Sequence, residues 1–231
     1  MKSSFLTIIP ARKGSKGIPN KNLANLLDKP LLEWTLLASE KCSFINKLIL
    51  SSDSDAILKL GEKYECTPHK RSSILSNDGA TTNDVILKIF DDFSELTKIF
   101  SHFILLQPTS PLRTYIHINE ACKKIIKEDA DSLISVCKTD NNSLKNLFVN
   151  EAGKLKTAFR KDFFEMPRQK LPLCFKPNGA IYISKINEYI SSQSFLQKKT
   201  TYYEMDQSIS IDIDNISDLT NAENFLLKNS E

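Results

Sequence analysis

Apolar runs and helical-period stretches alternate along this chain almost from the start. Phe5-Leu6-Thr7-Ile8-Ile9 is a continuous β-branched run that predicts a buried strand over 5–10. A helix over 30–41 follows, where Leu31, Leu32, Trp34, Thr35, Leu36 and Ala38 supply a broad apolar face. A strand over 47–52 and a helix over 54–64 come next, the latter with Ala56, Ile57, Leu60 and Tyr64 at helical spacing. The alternation continues with a helix over 82–97, a strand over 102–106, a helix over 114–127 and a strand over 132–137. Such a rhythm predicts an α/β fold, a mostly parallel sheet covered on both faces.

Between 138 and 177 the rhythm fails. The stretch mixes turn residues with Lys145, Phe148, Phe159, Phe163 and Phe164, too apolar for a disordered linker. We read it as an inserted β-rich arm whose aromatic residues pack elsewhere, a second subunit being one candidate. Order returns with strands over 178–183 and 208–213 and a closing helix over 216–228. The domain division is therefore 1–137 with 178–231, interrupted by the arm at 138–177.

Chemistry concentrates where the first strand ends, at Pro10-Ala-Arg-Lys-Gly-Ser-Lys-Gly-Ile-Pro-Asn-Lys-Asn22. The end of a strand is the ligand crevice of an open α/β sheet. Gly14 and Gly17 admit close backbone approach, and Arg12, Lys13, Lys16 and Lys21 add four cations. A solvated basic loop would carry the same charges; the placement after the strand favours an anion site. The glycine spacing fits neither a dinucleotide fingerprint nor a Walker A loop.

A second constellation is Ser210-Ile-Asp-Ile-Asp214. In a strand, Asp212 and Asp214 share one face and the isoleucines the other. Two neighbouring carboxylates suit a magnesium ion that also takes substrate phosphates, against the alternative of a solvated strand end. Asp53 and Asp55 form a rival pair, with Asp53 reading better as the cap of the following helix. His69, His102 and His117 share no ligand spacing and read as structural or surface residues. A Ser-His-Asp hydrolase is disfavoured by the lack of a Gly-x-Ser-x-Gly elbow.

Composition changes little. The chain has 231 residues, 41% hydrophobic and 26% charged, and a net charge of +3, too mild to argue for nucleic acid. No run has the length of a membrane span or a signal peptide. Five dispersed cysteines without a Cys-x-x-Cys pair point to a reducing, cytoplasmic setting.

Taken in order, these blocks resemble the acylneuraminate cytidylyltransferases, the CMP-sialic acid synthetases. The further blocks are Arg71-Ser-Ser with Thr81-Thr82, Leu106-Gln-Pro-Thr-Ser-Pro-Leu-Arg113, and Pro167-Arg-Gln with Pro177-Asn-Gly-Ala-Ile-Tyr182. The resemblance implies a Rossmann-like nucleotide-diphospho-sugar transferase fold and a homodimer joined through the arm. It implies transfer of CMP from CTP to the anomeric hydroxyl of a nine-carbon α-keto acid sugar, releasing pyrophosphate. Arg12, Lys16 and Lys21 then fall on triphosphate contacts, and Ala11, Asn22, Arg71, Thr81 and Thr82 surround cytosine and ribose. Gln107, Asn178, Tyr182 and Phe195 match the sugar pocket, and Asp212 and Asp214 the metal carboxylates. Lys145, Arg168 and Lys176 match basic arm positions near the partner's substrate; Lys176 stands where some relatives have arginine. Catalysis would rest on Arg12, Lys21, Arg168 and Asp212, while Lys13 matches no role. Pseudaminic acid or 3-deoxy-manno-octulosonate are alternative substrates, and a non-catalytic nucleotide-binding module is the alternative outside catalysis.

Overall fold

The computed structural model describes residues 3–15, 17–77 and 79–229. The chain opens with β1 (Phe5–Pro10), then a small hairpin of β2 (Asn25–Leu26) and β3 (Lys29–Pro30) leading into α1 (Leu31–Glu40). Next come β4 (Ile45–Ser52), α2 (Asp55–Glu62), β5 (Thr67–Lys70), α3 (Thr82–Asp92), α4 (Ser94–Ile99) and β6 (His102–Leu105). After α5 (Tyr115–Glu128) and β7 (Ser132–Lys138) the arm holds β8 (Leu147–Val149), β9 (Leu155–Thr157) and α6 (Lys161–Glu165). The last elements are β10 (Phe175–Lys185), α7 (Ile186–Ser192), β11 (Thr200–Glu204) and α8 (Ile216–Lys228).

The main sheet has seven strands in the order β11-β7-β10-β6-β1-β4-β5. Only β10 runs against its neighbours, pairing antiparallel with both β6 and β7. The expected mostly parallel sheet is therefore present. Period-two alternation sends successive side chains to opposite faces. Phe5, Ile9, Leu50 and Ile104 meet α1, α2 and α5 through Leu32, Leu36, Ile57 and Ile118. Leu6, Ile8, Ile49, Phe103 and Leu105 meet α3 and α7 through Ile86, Ile89, Phe90 and Tyr189. Burying each such side chain is worth ~1.5–3 kcal/mol, so both layers hold the sheet firmly under the site.

Several expectations need correction. The helix expected over 82–97 breaks at Phe93 (φ −121°, ψ 44°), and Phe93, Leu96 and Phe100 all pack onto the α3 side of the sheet. Residues 208–213 form no strand. They run from a short 3-10 turn at Gln207–Ile209 into coil whose burial alternates, Ile213 inward and Asp212 and Asp214 outward, while β11 takes the sheet edge beside β7. The facing nonetheless survives without the pairing. Ile213 is fully buried beside Ile18, Leu26, Leu31 and Ala222, and Asp212 and Asp214 point out of that cluster. The arm is less β-rich than expected, a hairpin of two three-residue strands joined to short helical turns. Leu147, Phe148, Val149, Leu155, Phe159 and Phe164 are exposed on it.

Candidate active site

A cleft of about 450 Å³ lies beyond the carboxyl ends of β1, β5 and β6. Its basic wall is the loop after β1. The Ala11 N–H donates to the Ser51 carbonyl oxygen (2.9 Å), rooting the loop on β4. Lys13 N–H donates to Asp53 Oδ1 (2.7 Å), and Asn22 Nδ2 donates to the Arg12 carbonyl (2.8 Å). Asp53 therefore does not cap α2, whose N-cap residue is Ser54; it anchors the loop. Asn20 adopts φ 51°, turning the chain into the 3-10 turn at Lys21–Leu23. The far side of the loop touches the acidic segment. A Cβ on Gly17 would sit 1.8 Å from the Asp214 carbonyl oxygen, so only glycine allows this approach.

Lys21 closes the contact. Its Nζ, on a side chain only 12% exposed, lies 3.0 Å from Asp214 Oδ1 and also donates to the Ile213 carbonyl. The Ile213 N–H in turn donates to Thr109 O (2.8 Å), and the Asp214 N–H to Asp218 Oδ2 (2.9 Å) at the start of α8. Desolvation raises the Asp212 carboxyl above the usual carboxylate range. A hydrogen bond from Thr109 opposes that rise, nearby Asp214 adds to it, and Lys21 counters it. Gly179 (φ +75°) leaves room beneath: a Cβ there would lie 2.9 Å from Gln107 Oε1 and 3.5 Å from Asp212 Oδ2.

Two carboxylates facing one cleft supply part of the octahedral oxygen set of magnesium, which substrate phosphates and several waters would complete. Among the described residues no group of three or more His, Cys, Asp or Glu side chains is placed to hold a metal, so substrate oxygens would have to contribute. The residues present fit that arrangement.

Arg71, whose Nη2 shares the Ser51 carbonyl with the Ala11 N–H, lines the cleft beside the loop, and Thr81 and Thr82 line it from the start of α3. Thr81 caps α3 through a reciprocal capping box with Asp84, which aims the amino end of an eleven-residue helix at the cleft. Thr81, Thr82 and Gln107 also border a second cavity of about 340 Å³, walled by Tyr182, Tyr189 and Phe195. The Phe195 ring centroid is 5.0 Å from that of Tyr182 and 4.8 Å from that of Tyr189. The two spaces adjoin across the shared Thr81, Thr82 and Gln107, together a trough that is charged at one end and aromatic at the other.

Of the residues nominated from sequence, Arg12, Lys21, Asn22, Arg71, Thr81, Thr82, Gln107, Asp212 and Asp214 line the first cleft. Tyr182 and Phe195 line the second. Lys16 lies outside the described residues. Ala11 is buried behind the loop, and Asn178 is 4% exposed, with its amide committed to Ser135, Ser210 and the Ala180 N–H. Asn178 thus joins β10 to β7 and to the acidic segment rather than facing the trough. Lys145, Arg168 and Lys176 sit on or beside the arm and line neither cavity; Arg168 reaches Asp140 at 3.4 Å. Sequence reasoning missed Thr109, although it lies within the Gln107-Pro-Thr-Ser-Pro block, and Tyr189, whose helix α7 it did not foresee.

Residues 6–230 match the Cytidylyltransferase family model. The chain belongs to that family. Among curated members it is 33% identical over 222 residues to the N-acylneuraminate cytidylyltransferase of Escherichia coli, covering 94% of this chain and 51% of that protein. It is 32% identical to the CMP-N,N'-diacetyllegionaminic acid synthase of Legionella pneumophila, covering 98% of each, and 26% identical to a pseudaminic acid cytidylyltransferase of Campylobacter jejuni, covering 93% and 92%. The chain thus spans about half the length of the N-acylneuraminate cytidylyltransferases it matches. The fold is shared with a solved CMP:2-keto-3-deoxy-manno-octonic acid synthetase complexed with CTP, at TM-score 0.72 and 12% identity over 98% of this chain and 99% of that one. No helix among the described residues of this cytidylyltransferase-family chain is long and apolar enough to cross a membrane.

Proposed function

We propose that this chain transfers CMP from CTP to the anomeric hydroxyl of a nine-carbon α-keto acid sugar of the N-acetylneuraminic or legionaminic type, releasing pyrophosphate. One observation carries the reading. The cationic loop and the acidic segment, nearly two hundred residues apart in sequence, meet through Lys21 and Asp214 at 3.0 Å in a cleft that adjoins an aromatic cavity. The full-length match to the Legionella synthase favours this sugar class.

In this reading Arg12 and Lys21 neutralise the triphosphate, and Arg71, Thr81 and Thr82 hold the nucleoside. Gln107, Tyr182 and Phe195 seat the sugar with its anomeric oxygen toward the α-phosphate. The chain's contribution is alignment for in-line displacement and pre-set charge. Asp212 and Asp214 would hold a magnesium ion, which when bound neutralises phosphate charge and polarises a phosphoryl oxygen. The exposed apolar face of the arm supports a homodimer in which the arm's Lys145, Arg168 and Lys176 reach the partner's trough. The five cysteines, all free and four of them buried, are in keeping with a reducing cytoplasmic compartment.

The deciding assay is pyrophosphate release over a panel of keto-acid sugars with CTP, ATP or UTP and magnesium. Release that requires both CTP and a nine-carbon acid is the expected outcome. Release with an eight-carbon octulosonate alone, or none with any sugar despite CTP binding, would reject it.

A further inference from the structure

Behind the cleft wall lies a hydrogen-bond chain that none of the roles above uses. Arg71 is 8% exposed, and the side-on edge of its guanidinium is committed to one residue: Nε–H donates to Ser51 Oγ (2.8 Å) and Nη2–H to the Ser51 carbonyl (3.0 Å). Arg71 itself lines the cleft. Ser51 Oγ is also 2.8 Å from His69 Nδ1, and Ser51 and His69 are directly paired on the parallel strands β4 and β5. The opposite ring nitrogen, Nε2, is 3.1 Å from Asp92 Oδ2 on α3.

The donors in this chain have only one consistent assignment. Ionised Asp92 can only accept, so the neutral ring carries its proton on Nε2; Ser51 Oγ then gives its hydroxyl proton to Nδ1 while accepting from Arg71 Nε, which can only donate. Ser51 is fully buried and His69 is 5% exposed, so water cannot replace a missing partner. The groups acting on the imidazole are Asp92, which favours its protonation, and Arg71 just past the end of β5 with Lys88 on α3, which oppose it. Desolvation outweighs Asp92 and keeps the ring below the ordinary imidazole range, hence neutral near pH 7.

We infer that Ser51 and His69, backed by Asp92, are positioning residues that hold the Arg71 guanidinium in the orientation that grips the nucleotide, and that protonation of His69 releases it. An imidazolium presents Nδ1–H to Ser51, strips the hydroxyl of its acceptor and sets a second cation against the guanidinium. The inference rests on the cleft being a CTP site. Its substrate-facing member is Arg71 alone; His69 acts through Ser51.

Two measurements test it. In the ligand-free protein, the ¹⁵N shifts of the His69 ring should show Nε2 protonated and Nδ1 bare near neutral pH. The reverse tautomer would overturn the relay whether or not CTP binds. Calorimetric CTP titrations above and below the imidazole range should show Ser51→Ala weakening binding by roughly tenfold. The same change should cost much less in an Arg71→Lys background, where the two-pronged bond to Ser51 is already gone. The acid weakening seen in the wild type should also shrink in Ser51→Ala, the titration of CTP itself being common to both. Equal losses in both backgrounds, or an unchanged acid limb, would overturn the relay. Failure of the wild type to bind CTP at any pH would instead reject the function, while the tautomer still judges the geometry.

Discussion

Lys21 is the residue on which the two halves of the cleft depend. Its side chain is largely enclosed, whereas its partner Asp214 is 75% exposed, so the lysine is held in place and the carboxylate is free to turn toward a ligand. A fixed cation facing a developing phosphate charge is worth most when it needs no rearrangement. Lys21→Ala should therefore reduce turnover by roughly 10²–10³ with the fold retained and only a small drop in melting temperature from the lost Ile213 and Asp214 contacts. Wild-type initial rates in that variant would remove Lys21 from the chemistry. His102 carries a different prediction, about stability. Buried and stacked on Phe5 at 5.1 Å, it is pulled down to about 4, chiefly by desolvation. The unfolded chain then binds a proton that the native one refuses, so stability is complete above the ordinary imidazole range and falls as pH drops toward 4. At ~1.4 kcal/mol per unit, the total loss is on the order of 3 kcal/mol. Urea midpoints measured against pH should show this slope, and His102→Gln should flatten it. Some slope should remain, because desolvation also lowers His69 and His117. An identical pH profile in the variant would refute the assignment.

At the level of elements, the site exists because a loop without regular structure touches a coil segment whose burial alternates. Gly17 makes the contact possible, and Gly14 has nothing within 4 Å of where its Cβ would lie. Gly17→Ala should push the loop off Asp214 and cost about 1–3 kcal/mol, whereas Gly14→Ala should leave the melting temperature nearly unchanged. Equal melting temperatures for the two would mean the loop relaxes freely around position 17. The contrast also marks what the sequence could and could not disclose. The buried strands were legible because continuous apolar runs bounded by turns have few other uses, as at Phe5–Pro10 and His102–Leu105. The direction of Asp212 and Asp214 was legible because acid and isoleucine alternate along the segment, though the strand itself was not there. Pairing is settled at a distance: the Thr-Thr-Tyr-Tyr-Glu run of β11 competes for the edge of β7 and takes it. The role of Asp53 was hidden for the same reason. Its partner, the Lys13 N–H, is forty residues away, and local spacing could suggest only a helix cap. Asn178 was nominated because its block matches the family's sugar pocket, yet its amide is buried among Ser135 and Ser210, which no sequence spacing could disclose.

For the whole molecule, the arm is where the proposed site would draw on a second chain. Residues 138–177 carry nine Lys or Arg against four Asp or Glu, while the full chain is only +3. They also display Phe148, Val149, Leu155 and Phe159 at exposures from 49% to 67%. An apolar patch ringed by cations suits a protein partner whose nearby surface binds anions. A second copy of this chain, with a nucleotide triphosphate in its trough, meets both requirements. If Arg168 serves the partner's trough while Lys21 serves its own, the two defects lie in different protomers of each composite site. Arg168→Ala and Lys21→Ala should then each be nearly inactive alone. Random pairing of the two makes half the dimers mixed, and each mixed dimer regenerates one intact site, so co-expression should recover about a quarter of wild-type activity. No recovery, with mixed dimers verified by mass, would place Arg168 on its own trough, and full activity of Arg168→Ala alone would place it outside catalysis. A monomer by sedimentation, active at full rate, would remove the arm from the site altogether.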